Sequence, residues 1–143
     1  MTENSKVRVL LVDDETDFTE PIAFWLKSRG YDVDTAVNGE EAIQRVRGGR
    51  PDIVFLDINM PVMDGLECLR QLREFDRELP VVMVTAAFGS PDKITRAKEL
   101  GVSGFFAKNY TFDQLIQMIQ VTLRTHRGLK PGRDGLPPTA DQG

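Results

Sequence analysis

Residues 50–65 read RPDIVFLDINMPVMDG. Ile53, Val54, Phe55 and Leu56 form an uninterrupted apolar run, and a carboxylate, Asp57, follows at once. Four apolar residues in a row fit a central strand covered on both faces. Pro61 has no N–H to give to a ladder, so the strand must end near Asp57, and Met60, Pro61, Met63, Asp64 and Gly65 make a rigid turn beyond it. The carboxylate therefore stands at the carboxyl end of a buried strand, the edge where open α/β sheets gather ligands and chemistry. The segment also has a plainer reading, in which Asp57 merely ends a strand and solvates a turn.

Upstream of this stretch the same grammar recurs. Val7 and Val9–Val12 predict a first strand that runs straight into Asp13, Asp14 and Glu15. Phe18, Ile22, Trp25 and Leu26 then repeat at helical spacing, with Pro21 tolerable only near that helix's start and Gly30 as its stop. Tyr31–Ala36 reads as a short second strand. Asn38 with Glu41 resembles a capping box for a second helix whose buried stripe is Ala42, Ile43 and Val46.

Downstream, Asp64 can cap a third helix with Leu66, Leu69 and Leu72 inward, and Leu79–Thr85 is a fourth, nearly continuous apolar strand. Ser90-Pro91 fits an N-cap followed by a first-turn proline, opening a helix with Ile94, Ala97 and Leu100 on its apolar face. Val102–Ala107 is the fifth strand and ends at Lys108. Thr111 and Gln114 form another capping box, before Phe112, Leu115, Ile116, Ile119 and Leu123, the clearest amphipathic stripe in the chain. From His126 periodicity vanishes. GLKPGRDGLPPTADQG (128–143) has almost nothing to bury, so residues 1–127 are expected to be the folded domain and 128–143 a flexible tail or an interdomain linker cut short.

Five strand–helix units imply right-handed crossovers and a parallel sheet with both faces covered, hence a doubly wound (βα)5 three-layer sandwich; barrel closure normally takes eight units. At 143 residues, with 41% hydrophobic side chains, the chain can build a core without staples. Residues 1–123 carry 14 basic and 20 acidic side chains against 4 and 2 in the last twenty. A mildly acidic body argues against non-specific nucleic-acid binding. The single Cys68 excludes an internal disulfide and a thiolate metal cluster, and it falls in a helical pattern, as a packed residue does. No apolar stretch approaches membrane-spanning length and no signal peptide is visible, so the expected location is cytoplasmic.

Parallel strands bring their carboxyl ends to one edge, which here collects Asp13 and Asp14, Asp57, Thr85 and Lys108. Three converging carboxylates repel one another unless a cation sits among them. Oxygen ligands without Cys or His suit Mg²⁺ and suit Zn²⁺ poorly. These ends hold no Ser–His or Cys–His pair, and the chain has no GxxxxGK[ST] or GxGxxG sequence. What remains is a carboxylate beside a metal with a hydroxyl and an ammonium nearby. An aspartate in that setting can be a covalent nucleophile toward phosphorus, with Thr85 and Lys108 neutralising the phosphoryl oxygens. Each residue also has an ordinary reading: Lys108 as a solvated strand end, Thr85 as a strand-favouring residue, Asp13 and Asp14 as caps of the first helix.

Over residues 6–125 the sequence resembles the receiver domain of bacterial two-component response regulators. The marks are LLVDDE at 10–15, DINMPVMDG at 57–65, VMVTAAF at 82–88 and FFAK at 105–108, specific in combination and weak singly. The resemblance implies a flavodoxin-like strand order, 2-1-3-4-5. It implies that Asp57 accepts a phosphoryl group from a phosphohistidine of a sensor histidine kinase or histidine phosphotransfer protein. Asp14 and Asp57 would be direct ligands of Mg²⁺ (or Mn²⁺ in its place), with Asp13 acting largely through water and Asn59 supplying a backbone carbonyl. Thr85 would be the switch hydroxyl, Phe105 the aromatic that swings inward, and Lys108 the phosphate contact. The signal would reach the face around helix 4, strand 5 and helix 5, there to engage a downstream protein or a second receiver in a homodimer. Such a domain catalyses its own phosphorylation and dephosphorylation instead of turning over a separate substrate. It needs no membrane and contacts no nucleic acid itself.

One departure stands out. The family usually places proline, commonly after a cis bond, directly after the lysine; here it is Asn109. A non-proline cis bond costs about 2.5–4 kcal/mol, so the aim of Lys108 and its switching are in question. Ala87, two beyond Thr85, offers no polar group to position a hydrolytic water, which is compatible with a longer-lived phosphoryl group. Two competing readings follow: a constitutive protein-interaction module of the same fold, which Asn109 favours, and a Mg²⁺-dependent phosphatase, which wants a second acid–base carboxylate and a cap that the sequence lacks.

Overall fold

The computed structural model describes residues 6–85 and 91–128, with side chains as far as Thr125. The Ser90 cap, Ala87, the His126 side chain and the tail expected over 128–143 (bar the backbone of Gly128) lie outside the described residues.

Ten elements alternate: β1 (Arg8–Val12), α1 (Thr16–Ser28), β2 (Asp32–Ala36), α2 (Gly39–Gly48), β3 (Ile53–Asp57), α3 (Gly65–Phe75), β4 (Val81–Thr85), α4 (Pro91–Glu99), β5 (Gly104–Ala107) and α5 (Phe112–Gly128). The strands form one parallel sheet in the order β2-β1-β3-β4-β5, as expected. β3, the apolar run that ends at Asp57, is the middle strand and buried along its whole length. Val9–Val12 pair with Ile53–Leu56, and Val54–Asp57 pair with Val81–Val84.

Side chains alternate across each strand, so the two faces build separate cores. Leu10, Val12, Val54, Leu56, Val81 and Met83 pack with Ala42, Val46, Cys68, Leu69, Leu72 and Ala97 of α2, α3 and α4. Val9, Leu11, Phe55, Val82 and Val84 pack with Ile22, Leu26, Leu115, Ile119 and Leu123 of α1 and α5. This is the three-layer sandwich. Cys68 is a packing residue; burial pushes its thiol up to about 12. Edge strand β2 carries exposed Asp32 and Asp34, charges that blunt an open edge.

The local signals mostly act as read, with informative departures. Thr111 and Gln114 form the full reciprocal box: Gln114 N–H donates to Thr111 Oγ1 (3.1 Å) and Thr111 N–H to Gln114 Oε1 (2.9 Å). At α2, Asn38 accepts from Glu41 N–H, but the Glu41 carboxylate reaches one residue further back, to Val37 N–H. Asp64 caps α3 by accepting from Glu67 N–H at 2.9 Å. Pro21 sits in the second turn of α1, and the helix continues through it, leaving one carbonyl on the exposed side without its helical partner. Phe112 is half-exposed and stacks on Trp25 of α1 with ring centroids 4.4 Å apart, while the Arg29 guanidinium lies 4.8 Å from the Trp25 ring centroid. β4 and β5 start two residues later than expected, at Val81 and Gly104.

Candidate functional site

The strand ends deliver the expected residues to one place. β1 runs out at Val12, and Asp13 N–H still donates to Ala36 O at 3.0 Å, which keeps the next carboxylate in line with the sheet. Asp57 is the last residue of β3, Thr85 the last of β4, and Lys108 follows β5 with its N–H on Thr85 O at 2.9 Å. Asp13, Asp57 and Thr85 are buried, whereas Asp14 is exposed. Asp13, Asp14 and Asp57 each present an oxygen within 4.8 Å of the others.

The loop after β3 fixes the aim of Asp57. Its Oδ1 accepts Asn59 N–H at 3.1 Å, and Gly65 N–H donates back to Ile58 O at 2.8 Å, closing the loop under the strand end. Between them Met63 N–H donates to Pro61 O at 2.7 Å, a γ-turn centred on Val62 at φ 70°. A β-branched residue at positive φ is strained, and strain of this kind clusters at functional loops. The Val62 side chain is exposed, so its packing does not repay that strain.

Lys108 supplies the positive charge. Its Nζ lies 2.9 Å from Asp13 Oδ2, 3.5 Å from Asp57 Oδ2 and 2.5 Å from Glu15 Oε1, and 4.9 Å from the Phe18 ring centroid. Burial works against its charge, but hydrogen bonds to Glu15 and Asp13 outweigh it and the lysine titrates above its usual range. Asp57 goes the other way for an acid: burial first, then the Asp13 charge, push it up to about 6, against the pull of Asn59 N–H and Lys108. The peptide between Lys108 and Asn109, where the missing proline had left the isomer open, is trans. Phe105 is half-buried and packs on the core shared with α3 and α4.

Two contacts were not foreseen. Lys93 at the start of α4 donates to Asn59 Oδ1 at 3.1 Å, tying that helix to the loop beside Asp57. Glu15 binds Lys108; the third acid of LLVDDE was the visible signal for it.

The donor set fits a hard divalent cation. Three carboxylates come within ligand reach of one another, and the charge on Asp57, disfavoured by burial and by Asp13, is what such a cation would relieve. Because a proton and Mg²⁺ compete for the same carboxylate, apparent Mg²⁺ affinity is expected to fall about tenfold per pH unit below pH 6 and to level off above it. Calorimetric titration from pH 5 to 8 checks this; a flat profile would exclude Asp57 as a ligand.

The response regulator receiver domain family matches residues 9–120. The chain is similar to the transcriptional regulatory protein PrrA of Mycobacterium leprae, 34% identical over 120 residues covering 84% of this chain and 51% of that protein. PrrA of Mycobacterium tuberculosis is 35% identical over 117 residues, covering 82% and 50%. The chain thus spans about half the length of these curated relatives. Among solved structures, a CheY-like receiver domain protein from Methanospirillum hungatei superposes with a TM-score of 0.83 at 23% identity, over 88% of this chain and 100% of that one, a likeness of fold. Vibrio cholerae CheY4 gives 0.75 at 31% identity (83% and 100%), and the receiver domain of Brucella abortus NtrX gives 0.74 at 32% (82% and 98%).

Proposed function

The chain belongs to the response regulator receiver domain family, and from that premise we propose that it accepts a phosphoryl group on Asp57 from a phosphohistidine and passes the change to the face formed by α4, β5 and α5. The observation that carries this reading is the buried Asp57 carboxylate at the end of the middle strand, beside Asp13 and Asp14 and 3.5 Å from Lys108. The donor would be a sensor histidine kinase or a histidine phosphotransfer protein. Residues 1–127 are read as the unit that does this, and 128–143 as a tail or linker.

An ionised Asp57 oxygen attacks phosphorus while the P–N bond of the donor breaks and its electron pair returns to the imidazole nitrogen. Asn59 N–H holds one carboxylate oxygen and so orients the other. Asp13, Asp14, Asp57 and the Asn59 carbonyl would hold Mg²⁺, which when bound supplies charge neutralisation of the phosphoryl oxygens. Lys108 contributes a second positive charge, and the Thr85 hydroxyl a hydrogen bond. Two links lead outward. Thr85 and Phe105 stand on neighbouring strands, β4 and β5, with Met83 paired to Phe105. Lys93 joins α4 to Asn59. New charge on Asp57 that draws Thr85 and Lys108 inward would therefore disturb β5 and α4 together.

The test is intact mass after incubation with Mg²⁺ and acetyl phosphate. A gain of one phosphoryl group per chain, absent without Mg²⁺, supports the receiver. No gain under saturating donor leaves a constitutive interaction module, the reading favoured by Asn109. Sustained turnover of varied phosphomonoesters would favour a phosphatase. Light scattering before and after phosphorylation tests whether the α4–β5–α5 face pairs two copies.

A further inference from the structure

Glu15 ends the LLVDDE run and plays no part in the chemistry above. It is the N-cap residue of α1, yet its side chain makes no capping hydrogen bond. Ser, Thr, Asp and Asn at this position ordinarily accept the N–H of the second or third helical residue, and glutamate is not among them, so the Glu15 side chain is available for another partner. Here the third helical residue, Phe18, donates to the Glu15 backbone carbonyl at 2.9 Å, Thr19 makes the ordinary first helical bond to the same oxygen at 3.2 Å, and the carboxylate is turned across the site to a lysine 93 positions away.

That lysine has a ranked set of partners. Glu15 is nearest at 2.5 Å, Asp13 next at 2.9 Å, and Asp57 last at 3.5 Å. The Glu15 side chain is 63% exposed and that of Asp57 6%, so the closest carboxylate draws the ammonium toward solvent, away from the acceptor. We infer that Glu15 is a positioning residue: it holds the Lys108 ammonium in competition with Asp57 and thereby sets how readily that charge turns to a phosphoryl group arriving there. This rests on the reading of Asp57 as the acceptor. An exposed ion pair adds little to stability, so loss of Glu15 redistributes Lys108 while the fold stays intact. Asp13, whose other oxygen is fixed by Glu15 N–H at 2.9 Å, keeps its own hold on the lysine.

Two variants separate reach from charge. Glu15→Gln keeps the length and loses the charge; Glu15→Asp keeps the charge and falls one methylene short. Both are expected to speed phosphoryl uptake from acetyl phosphate about two- to fivefold, the range an exposed pair can supply, and to shift the Lys108 side-chain NMR resonance before any donor is added. Their melting temperatures should match the parent's. A Lys108 resonance that stays in place in either variant overturns the inference. So does Glu15→Asp keeping the parent rate while Glu15→Gln is faster, since net charge alone would then explain the effect. Variants with parental rates, beside a parent that is phosphorylated, overturn this inference alone. A parent that takes up no phosphoryl group overturns it together with the functional reading.

Discussion

Asp57→Asn is expected to make the metal-free protein more stable at neutral pH while abolishing its phosphorylation. The carboxylate sits buried at the end of β3, next to Asp13, and these two influences push its pKa from 3.8 to about 6. The folded state therefore holds the Asp57 proton more tightly than the unfolded chain does. As pH rises from about 4 to 6 the unfolded chain gives up that proton first, and Asp57 progressively destabilises the fold; above about 6 the penalty is constant. At 1.36 kcal/mol per pH unit the full shift corresponds to about 3 kcal/mol, an upper bound because water and Lys108 relax around the charge. Asparagine keeps the shape and can still accept Asn59 N–H, and Lys108 keeps Asp13 and Glu15. The variant should gain about 1–3 kcal/mol at pH 7 and nothing at pH 4, read as a rise of roughly 3–5 °C per kcal/mol. Added Mg²⁺ should narrow the gap by stabilising the parent more. Equal melting temperatures at pH 7 in EDTA would refute the electrostatic account, and any phosphoryl gain by the variant would refute Asp57 as acceptor.

Gly65→Ala should be the most damaging small substitution near the site. A Cβ there would stand 2.3 Å from Asp57 O, 2.8 Å from Ile58 Cα and 3.0 Å from Asp57 C, all backbone atoms that cannot swing aside. Overpacking against side chains costs about 1–3 kcal/mol; against backbone the cost should reach or exceed the top of that range. The atoms that must move belong to Asp57 itself and to the residue whose carbonyl accepts Gly65 N–H, so the damage reaches the acceptor's aim. A misplacement near 1 Å can cost about 10²-fold in rate. Gly48→Ala is the control: a Cβ there meets nothing within 4 Å, and alanine in a helix is favoured over glycine by about 0.5–1 kcal/mol. Chemical denaturation should place the two variants on opposite sides of the parent. A Gly65→Ala protein with parental stability and phosphorylation would show that the loop under β3 is softer than its hydrogen bonds imply.

The parts of the molecule that repeat a period were legible in the sequence. Ile53–Leu56 read as a doubly covered strand because both faces of β3 carry helices, and the strand ends told which side chains would meet. What escaped depends on backbone dihedrals and on reach. Nothing in a valine announces positive φ, so the strained turn at Val62 is invisible until the chain must close from Ile58 to Gly65. Asp64-Gly65 announced a turn but not that a missing Cβ lets the helix start lie against Asp57 O. Glu15 read as one more acid after a strand, since capping and ion pairing use the same carboxylate and only geometry decides between them. Glu41 likewise promised a box on Asn38 and went one residue further.

The stack of Trp25 on Phe112 ties the last turn of α1 to the first turn of α5. Trp25 is the chain's one tryptophan, and α5 begins four residues after Lys108. The protein thus carries a native fluorophore at the junction of the helix that follows the acidic pocket and the helix that follows the lysine. Its emission should report the separation of those two helices, with the Arg29 guanidinium 4.8 Å from the same ring. Any rearrangement that carries the start of α5 away from α1 becomes a change in colour and intensity, observable in stopped flow with no label attached.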